Sequence, residues 1–352
     1  MTLRIDRLQA HRDRFSLGPI AITLEAGNCL AVMGANGAGK TTFLETMAGF
    51  VQSASGRILL DGRDITHRVP ERRHIAYLPQ DLALFPHLNV MQNISFAVKR
   101  GKQYRRRERI DPLIREFGLE SISKRYPHQL SSGQAQRVAF ARALAMDPAV
   151  LLLDEPTTNL DLAGQRSLNS SLQRFLVERG LIVIYVTHNI IDGVSLASHL
   201  IVLEHGKAIQ TGTPDVVFHS PADARVAAHL GITNLWPAEV LDKTSSTARV
   251  RIGEHEFACA QRSLPNAPFF AGIGPGEIEV SSSVPADRAN CLQVVVQRLQ
   301  VSGRTALLEL AGGPAGLRAS VLPSRAGNIE VGQTLWVRLP ADRLRLIPAS
   351  SE

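Results

Sequence analysis

Cysteine is scarce in this chain. Cys29, Cys259 and Cys291 are the three among 352 residues, and no Cys-x-x-Cys spacing occurs. That excludes a disulfide framework and a cysteine-based zinc site, and suits free thiols in a reducing compartment. Long apolar runs are missing as well. The strongest, Leu181 to Val186, has six residues, against the roughly 18 that a membrane-spanning helix needs. Met1 to Asp6 has no apolar stretch of the signal-peptide kind. The expectation is a chain that neither spans a membrane nor is exported. Aromatic residues amount to 5%. Phe257, Phe269, Phe270 and Trp336 are scattered, so a stacking series for single-stranded nucleic acid is absent and no nucleic-acid partner is expected.

What is present in quantity is ordinary for a globular protein: 44% hydrophobic and 20% charged residues. The length suggests about two domains. The net charge of +7 is concentrated. Lys99, Arg100, Lys102, Arg105, Arg106, Arg107 and Arg109 stand against Glu108 alone. The patch reads either as a solvated face or as a surface lying near anionic lipid headgroups.

Hydrophobic periodicity divides the chain. Ile20, Ile22 and Leu24 alternate as in a strand, Gly27 and Asn28 turn, and Cys29 to Met33 form a buried strand. A glycine-rich loop and a helix from Thr42 to Gly49 follow. Val150 to Leu153 and Leu181 to Val186 are further buried strands, and Ser167 to Arg179 between them has helical spacing. Alternating strands and helices imply a parallel sheet. Residues 86–147 interrupt the pattern with helix signals, and Pro112 marks a fresh helix start or a kink. Beyond residue 232 short alternating runs separated by Gly, Ser, Pro and Asn predict an all-β region. Asn234-Leu235-Trp236 and Asn290-Cys291-Leu292 stand 56 residues apart, which hints at a duplication and at two small five-stranded barrels side by side.

The chemistry begins at Gly34-Ala35-Asn36-Gly37-Ala38-Gly39-Lys40-Thr41, followed by Thr42. This run fits GxxxxGK[ST] and sits between a strand and a helix, as the motif requires. Glycines let backbone N–H groups face phosphate oxygens, and the helix start adds partial positive charge. Lys40 is suited to the β- and γ-phosphates and Thr41 to Mg²⁺. Val150 to Leu153 ends in Asp154-Glu155, at the strand end where α/β sheets bind ligands. Asp154 suits the Mg²⁺ shell, and Glu155 suits a general base that polarises the attacking water. Leu130-Ser131-Ser132-Gly133-Gln134 precedes a helix rich in alanine. Taken alone, Ser131 or Ser132 would cap that helix.

This last segment resembles the LSGGQ signature of the ATP-binding cassette (ABC) family, with Ser132 in place of a glycine. Arg137 and the run Ala141-Arg142-Ala143 match the same pattern, and the resemblance covers residues 1–230. It implies further roles. Gln80 corresponds to the Q-loop glutamine that touches Mg²⁺ and the attacking water. Asn159-Leu160-Asp161 corresponds to the D-loop, and His188 to the switch histidine at the γ-phosphate. Phe15 or His11 takes the place of the residue that stacks on adenine. Ser131 and Gly133, with Gln134 beside them, would face the ATP of a second copy, so that two cassettes clamp two nucleotides.

The implied fold is an α/β P-loop NTPase at residues 1–232: a RecA-like parallel sheet with an antiparallel β part and a helical insertion near 86–147. An all-β, OB-like accessory domain at 233–352 follows it. The implied activity is ATP hydrolysis by an importer subunit with Mg²⁺, on the inner face of the cell membrane. The partners would be membrane permease subunits and, indirectly, a solute-binding protein. Asp81 to Val90 resembles the segment that receives a permease. The runs GRILLDGRDIT and RRHIAYLPQDLALFPH lean toward molybdate or tungstate importers, with ferric-iron and sulfate importers as the alternative and polyamine or sugar importers further off. Ala286 to Asn290 resembles the oxyanion-binding stretch of molybdate-binding domains but lacks its serine. Soluble cassette proteins of translation or DNA repair form the rival class; they usually carry two cassettes or a long coiled coil, and neither pattern occurs here.

Overall fold

The computed structural model describes residues 1–96, 98, 103–158, 160–187, 195–244, 247–260, 268–302 and 305–349. Lys99, Arg100, Lys102, Asn159 and His188 lie outside them. The chain divides into two compact units, residues 1–214 and 215–352. The change in sequence texture placed the division at 232. Residues 215–232 go instead with the β-rich unit, where Ala227 and Ile232 pack against Ile347.

The first unit runs β1 (Thr2–Arg12), β2 (Phe15–Glu25), β3 (Cys29–Met33), α1 (Lys40–Ala48), β4 (Ser53–Leu60), β5 (Arg63–Asp64), β6 (Ile75–Leu78), α2 (Val90–Phe96), α3 (Gln103–Glu116), α4 (Ser132–Ala145), β7 (Val150–Asp154), α5 (Leu162–Arg179), β8 (Ile182–Val186), β9 (His199–Glu204) and β10 (Lys207–Gly212). Every residue of β3, β7 and β8 is buried. Such strands are covered on both faces, which is why their sequences are unbroken apolar runs. They pair in parallel in the order β9-β3-β8-β7-β6, with β10 antiparallel at one edge. Alternate residues then enter different cores. Leu30, Val32, Leu152 and Ile184 pack with β1, β2, β4 and α1. Cys29, Leu151, Leu153 and Tyr185 pack with α2 to α5. Burial pushes the Cys29 thiol up to about 12, so it is inert. The second sheet, β2-β1-β4-β5, is antiparallel.

Two helices differ from the sequence expectation. α3 begins at Gln103 and continues through Pro112. Pro112 is exposed while Ile110, Leu113 and Ile114 are buried. The missing N–H falls on the solvent side, and packing of the opposite face holds the helix. α5 starts five residues before Ser167, because the Asp161 carboxylate accepts from Gly164 N at 2.8 Å and caps it. Among the described residues no helix is long and apolar enough to cross a membrane.

The second unit carries β11 (Asn234–Lys243), β12 (Ala248–Ile252), β13 (His255–Cys259), β14 (Phe269–Ile273), β15 (Glu279–Ser281), β16 (Cys291–Ser302), β17 (Thr305–Ala311), β18 (Arg318–Val321), β19 (Thr334–Arg338) and β20 (Arg345–Pro348). They form two antiparallel five-stranded sheets, β13-β12-β11-β14-β20 and β18-β17-β16-β19-β15. The second order is the first with every strand displaced by one repeat, except that the outermost strands are exchanged. β15 follows the first four strands yet completes the second sheet, and β20 returns to complete the first. The two five-stranded halves are therefore not independent of one another. One buried cluster takes Trp236, Val250 and Phe257 from one sheet and Val294, Leu308 and Leu335 from the other.

The 56-residue offset is a structural repeat. The Asn234 side chain accepts from Arg318 N at 2.8 Å and donates to Arg318 O at 2.8 Å. The Asn290 side chain does the same with Ala258, at 2.7 and 2.6 Å, and also donates to Leu339 O at 2.8 Å. Each asparagine thus pins the opposite sheet. Asn290 sits at φ 57°, a conformation that asparagine tolerates better than alanine. Asn290→Ala should destabilise the second unit by about 3 kcal/mol, from three lost hydrogen bonds and the left-handed backbone. Both tryptophans, Trp236 and Trp336, lie in this unit. Urea unfolding of the full chain followed by tryptophan fluorescence reads the effect, and an unchanged midpoint would refute it.

Candidate active site

β3 ends at Met33 and the chain turns through residues 34–39 into α1. Two glycines have no substitute there. Gly34 has φ 154°, and a Cβ would stand 2.3 Å from Leu203 O. Gly39 has φ 102°, and a Cβ would stand 2.6 Å from the Phe15 ring. The loop is pressed between β9 and Phe15, and only glycine fits at both places. Ala38 enters the core beside α1.

Lys40 opens α1 and is 6% exposed. Its Nζ donates to Gly34 O at 2.9 Å and Ala35 O at 3.0 Å. Burial pulls its pKa down, while the Glu155 and Asp154 carboxylates oppose that shift. The cation therefore points back into its own loop, where a phosphate oxygen would compete with the two carbonyls.

Asp154 is the last residue of β7 and is 5% exposed. Its Oδ2 accepts from Thr41 Oγ1 at 2.9 Å and from Tyr77 OH at 3.3 Å. Burial pushes its carboxyl above the usual range, against the pull of these hydrogen bonds. Tyr77, on β6, has its phenol pushed up by burial and by Asp154. Glu155 sits at φ 47°, with its N–H donating to Val186 O at 3.0 Å. That tight turn at the strand tip aims its carboxylate back toward the loop. Thr158 Oγ1 donates to Glu155 Oε2 at 3.2 Å.

These groups meet in one cleft of about 480 Å³. Asn36, Gly37, Gly39, Lys40, Thr41 and Thr42 line one side, Gln80, Asp154 and Glu155 another, and Phe15 the edge. Phe15 also packs on the core beneath β1 and β2. His11 is exposed, with Nδ1 3.1 Å from Ser16 Oγ, and does not line the cleft. Thr41, Gln80 and Asp154 supply oxygens only, a set for a hard cation that keeps waters and substrate oxygens as further ligands. No cluster of three His, Cys, Asp or Glu occurs among the described residues.

Ser131, Gly133, Gln134 and Asp161 are elsewhere. They line a second cavity, about 800 Å³, that shares no lining residue with the first. Ser131 caps α4: its Oγ accepts from Gln134 N at 3.3 Å, and the Gln134 amide oxygen accepts from Ser131 N at 3.1 Å. Reasoning from the sequence missed Tyr77 and Gln136 as working residues. Gln136 is 3% exposed and donates from α4 to Pro156 O, just after Glu155. Its helical position three residues past Gly133 gave no polar signal, because surface glutamines look the same.

A glycine loop that feeds a helix, a lysine buried beneath it and an acid pair at a neighbouring strand end define a P-loop nucleoside triphosphatase. The model of the ABC transporter family matches residues 17–158. The Fe(3+) ions import ATP-binding protein FbpC of Pseudomonas fluorescens is 37% identical over 91% of this chain and 90% of its own length. The sulfate/thiosulfate import ATP-binding protein CysA of Xanthomonas campestris is 34% identical over 99% of this chain and all of its own length. The molybdate/tungstate import ATP-binding protein WtpC of Thermococcus kodakarensis is 39% identical over 67% of this chain and 72% of its own. A solved dimeric ATP-binding cassette in a post-hydrolysis state with ADP and phosphate superposes with TM-score 0.54, at 25% identity, over 60% of this chain and 98% of that one. The chain belongs to the ABC transporter family; it binds ATP, and its enzymatic activity is ATP hydrolysis.

Lys40→Ala removes the one side-chain cation lining the cleft among the described residues. It should weaken binding of a fluorescent ATP analogue by about tenfold or more. Equal affinity in a titration of the two proteins would refute the assignment.

Proposed function

We propose that this chain is the ATP-hydrolysing subunit of an importer for a small inorganic ion. It works as two copies beneath separate permease subunits, on the inner face of the cell membrane, with a solute-binding protein delivering cargo outside. One observation carries the two-copy reading. The phosphate loop and the Ser131 helix start lie in different cavities of one chain, with no lining residue in common. A nucleotide in the first cleft meets a helix start such as that of α4 only if a second copy supplies it. The dimeric state of the solved cassette with ADP and phosphate supports the same arrangement.

The chain's own residues then divide the work. Lys40 exchanges its two loop carbonyls for β- and γ-phosphate oxygens, and backbone N–H groups from Gly37 to Thr42 face the phosphates. Phe15, half-buried where it lines the cleft, offers its ring to adenine. Thr41, Asp154 and Gln80 hold Mg²⁺, which when bound neutralises phosphate charge. The oxygen-only donor set fits such a cation, and its positive charge would favour the ionised form of Asp154 against the burial that pushes that carboxyl up. Glu155 polarises the attacking water, and Thr158 fixes the rotation of its carboxylate. Gln80 and His188 contact the water and the γ-phosphate; His188 lies outside the described residues. Ser131, Gly133 and Gln134 close on the γ-phosphate from the second copy, beside Asp161.

Residues 81–90 receive the permease. The Phe85 ring lies 4.4 Å from Phe96, which is 65% exposed, and beside His87 at 6.1 Å. The pair forms an exposed aromatic step of the kind that anchors a docked helix. For the cargo we put molybdate or tungstate first, on the runs GRILLDGRDIT and RRHIAYLPQDLALFPH. Ferric iron or sulfate is the second reading, favoured by the longer matches to the iron-import and sulfate-import relatives.

Glu155→Gln should keep ATP binding, lower turnover by about a hundredfold or more, and accumulate an ATP-bound dimer on a sizing column. Turnover within twofold of the parent would remove Glu155 from this role, and a monomer at saturating ATP would remove the dimer. Uptake by vesicles holding the complete transporter separates the cargoes: accumulation of molybdate but not of ferric iron supports the first reading, and the reverse overturns it.

A further inference from the structure

The segment just past Gln80 is strained. Leu82 (φ 61°) and Ala83 (φ 43°) are consecutive non-glycine residues in the left-handed region, a conformation costing about 1 kcal/mol or more at each. Something must hold them there. Arg142, on α4, does so: its Nη1 donates to Ala83 O at 2.6 Å and its Nη2 to Leu82 O at 2.8 Å. The same guanidinium lies over the Phe85 ring, 5.3 Å from its centre. A planar fork with five donors can grip two successive carbonyls and cover a ring at once, which an ammonium cannot. From α2, Asn93 binds Phe85 N at 2.9 Å and Leu88 O at 2.8 Å, so the segment is closed from its other side.

α4 carries this grip far along its length. Its first turn holds Ser131 and Gln134, Gln136 donates to Pro156 O, and Arg142 follows. From Ser131 to Arg142 is about 16 Å of continuous helix at 1.5 Å per residue. Val138, Phe140 and Leu144 are buried, so the helix moves as one piece with its core.

We propose that Arg142 is the positioning residue that links the segment behind Gln80 to the Ser131 end of α4. Pressure on Phe85 shifts the grip at Leu82 and Ala83, and α4 passes that shift to the helix start that faces a second copy's nucleotide. Arg142 touches no group of the phosphate-loop cleft; it acts through the helix. Only the identity of what presses on Phe85 rests on the docking reading above.

The test separates linkage from mere support. Amide hydrogen exchange is measured on the full chain without nucleotide, in the parent, Phe85→Ala, Arg142→Lys and the double variant. Phe85→Ala is expected to speed exchange in residues 130–137 by about threefold or more, and to add nothing to that segment when Arg142 is already lysine. An effect confined to residues 81–96, or an equal effect with and without the guanidinium, overturns the proposal. Thermal melting and binding of a fluorescent ATP analogue are read on the same proteins. Arg142→Lys is expected to leave ATP-analogue affinity within about twofold, and a parallel loss of affinity and melting temperature overturns the proposal in favour of a purely structural arginine. Because these readouts need neither dimer nor permease, failure of the docking reading shows separately, as absent permease stimulation with the exchange linkage intact.

Discussion

A buried positive charge bound to its own loop is the constraint around which the first unit is built. Lys40 cannot leave the interior, since α1 begins at it and Phe43, Leu44 and Met47 anchor that helix in the core. Nor can it rest unpaired, so the carbonyls of Gly34 and Ala35 turn inward to meet it. That turn leaves the N–H groups of the loop facing outward, and a loop whose donors face outward attracts anions. The need for glycine at 34 and 39, the burial of Asp154 near the charge and the packing of Phe15 over the loop all follow from keeping one ammonium in place.

The helical insertion solves a different problem. α4 is capped locally at Ser131 and is held by polar contacts to parts of the chain remote in sequence, among them Pro156 through Gln136 and Leu82 and Ala83 through Arg142. The two remote contacts join the helix to the segments that directly follow Glu155 and Gln80, residues of the phosphate-loop cleft. On the apolar side of the same helix Phe140 stacks on Phe117, with ring centres 6.5 Å apart. A helix fixed in this way is stiff along its axis, whereas the segments it grips are short loops in unfavourable backbone conformations. Rigidity and strain are placed side by side.

Contiguous chemistry was readable from the sequence, and chemistry assembled by folding was not. The phosphate loop and the Asp154-Glu155 pair are local words, because one strand end or one helix start needs all its residues together. Buried strands announced themselves as apolar runs for the same reason. Tyr77 stands 77 residues from Asp154, and the sequence offers no cue to their hydrogen bond; the register of β6 against β7 creates it. Of the two readings of Pro112, the fresh helix start failed because the burial of Ile110 and Leu113 offsets the local cost of proline. The 56-residue echo from Asn234 to Asn290 was visible, but periodicity says which strands exist and not which partners they choose. Two five-stranded units were expected and two five-stranded sheets are found, but the exchange of their outermost strands was not foreseen.

That exchange has a consequence for how the protein is made. As the nascent polypeptide leaves the ribosome, the strand at Phe269–Ile273 appears with one side bare. Its proper neighbour, Arg345–Pro348, is translated only after all five strands of the other sheet. Until then the ladder is an open template on which another unfinished molecule could add its own strand. Glu279–Ser281 must likewise wait for Thr334–Arg338. Completion of the first sheet therefore waits on a strand made after the whole of the second.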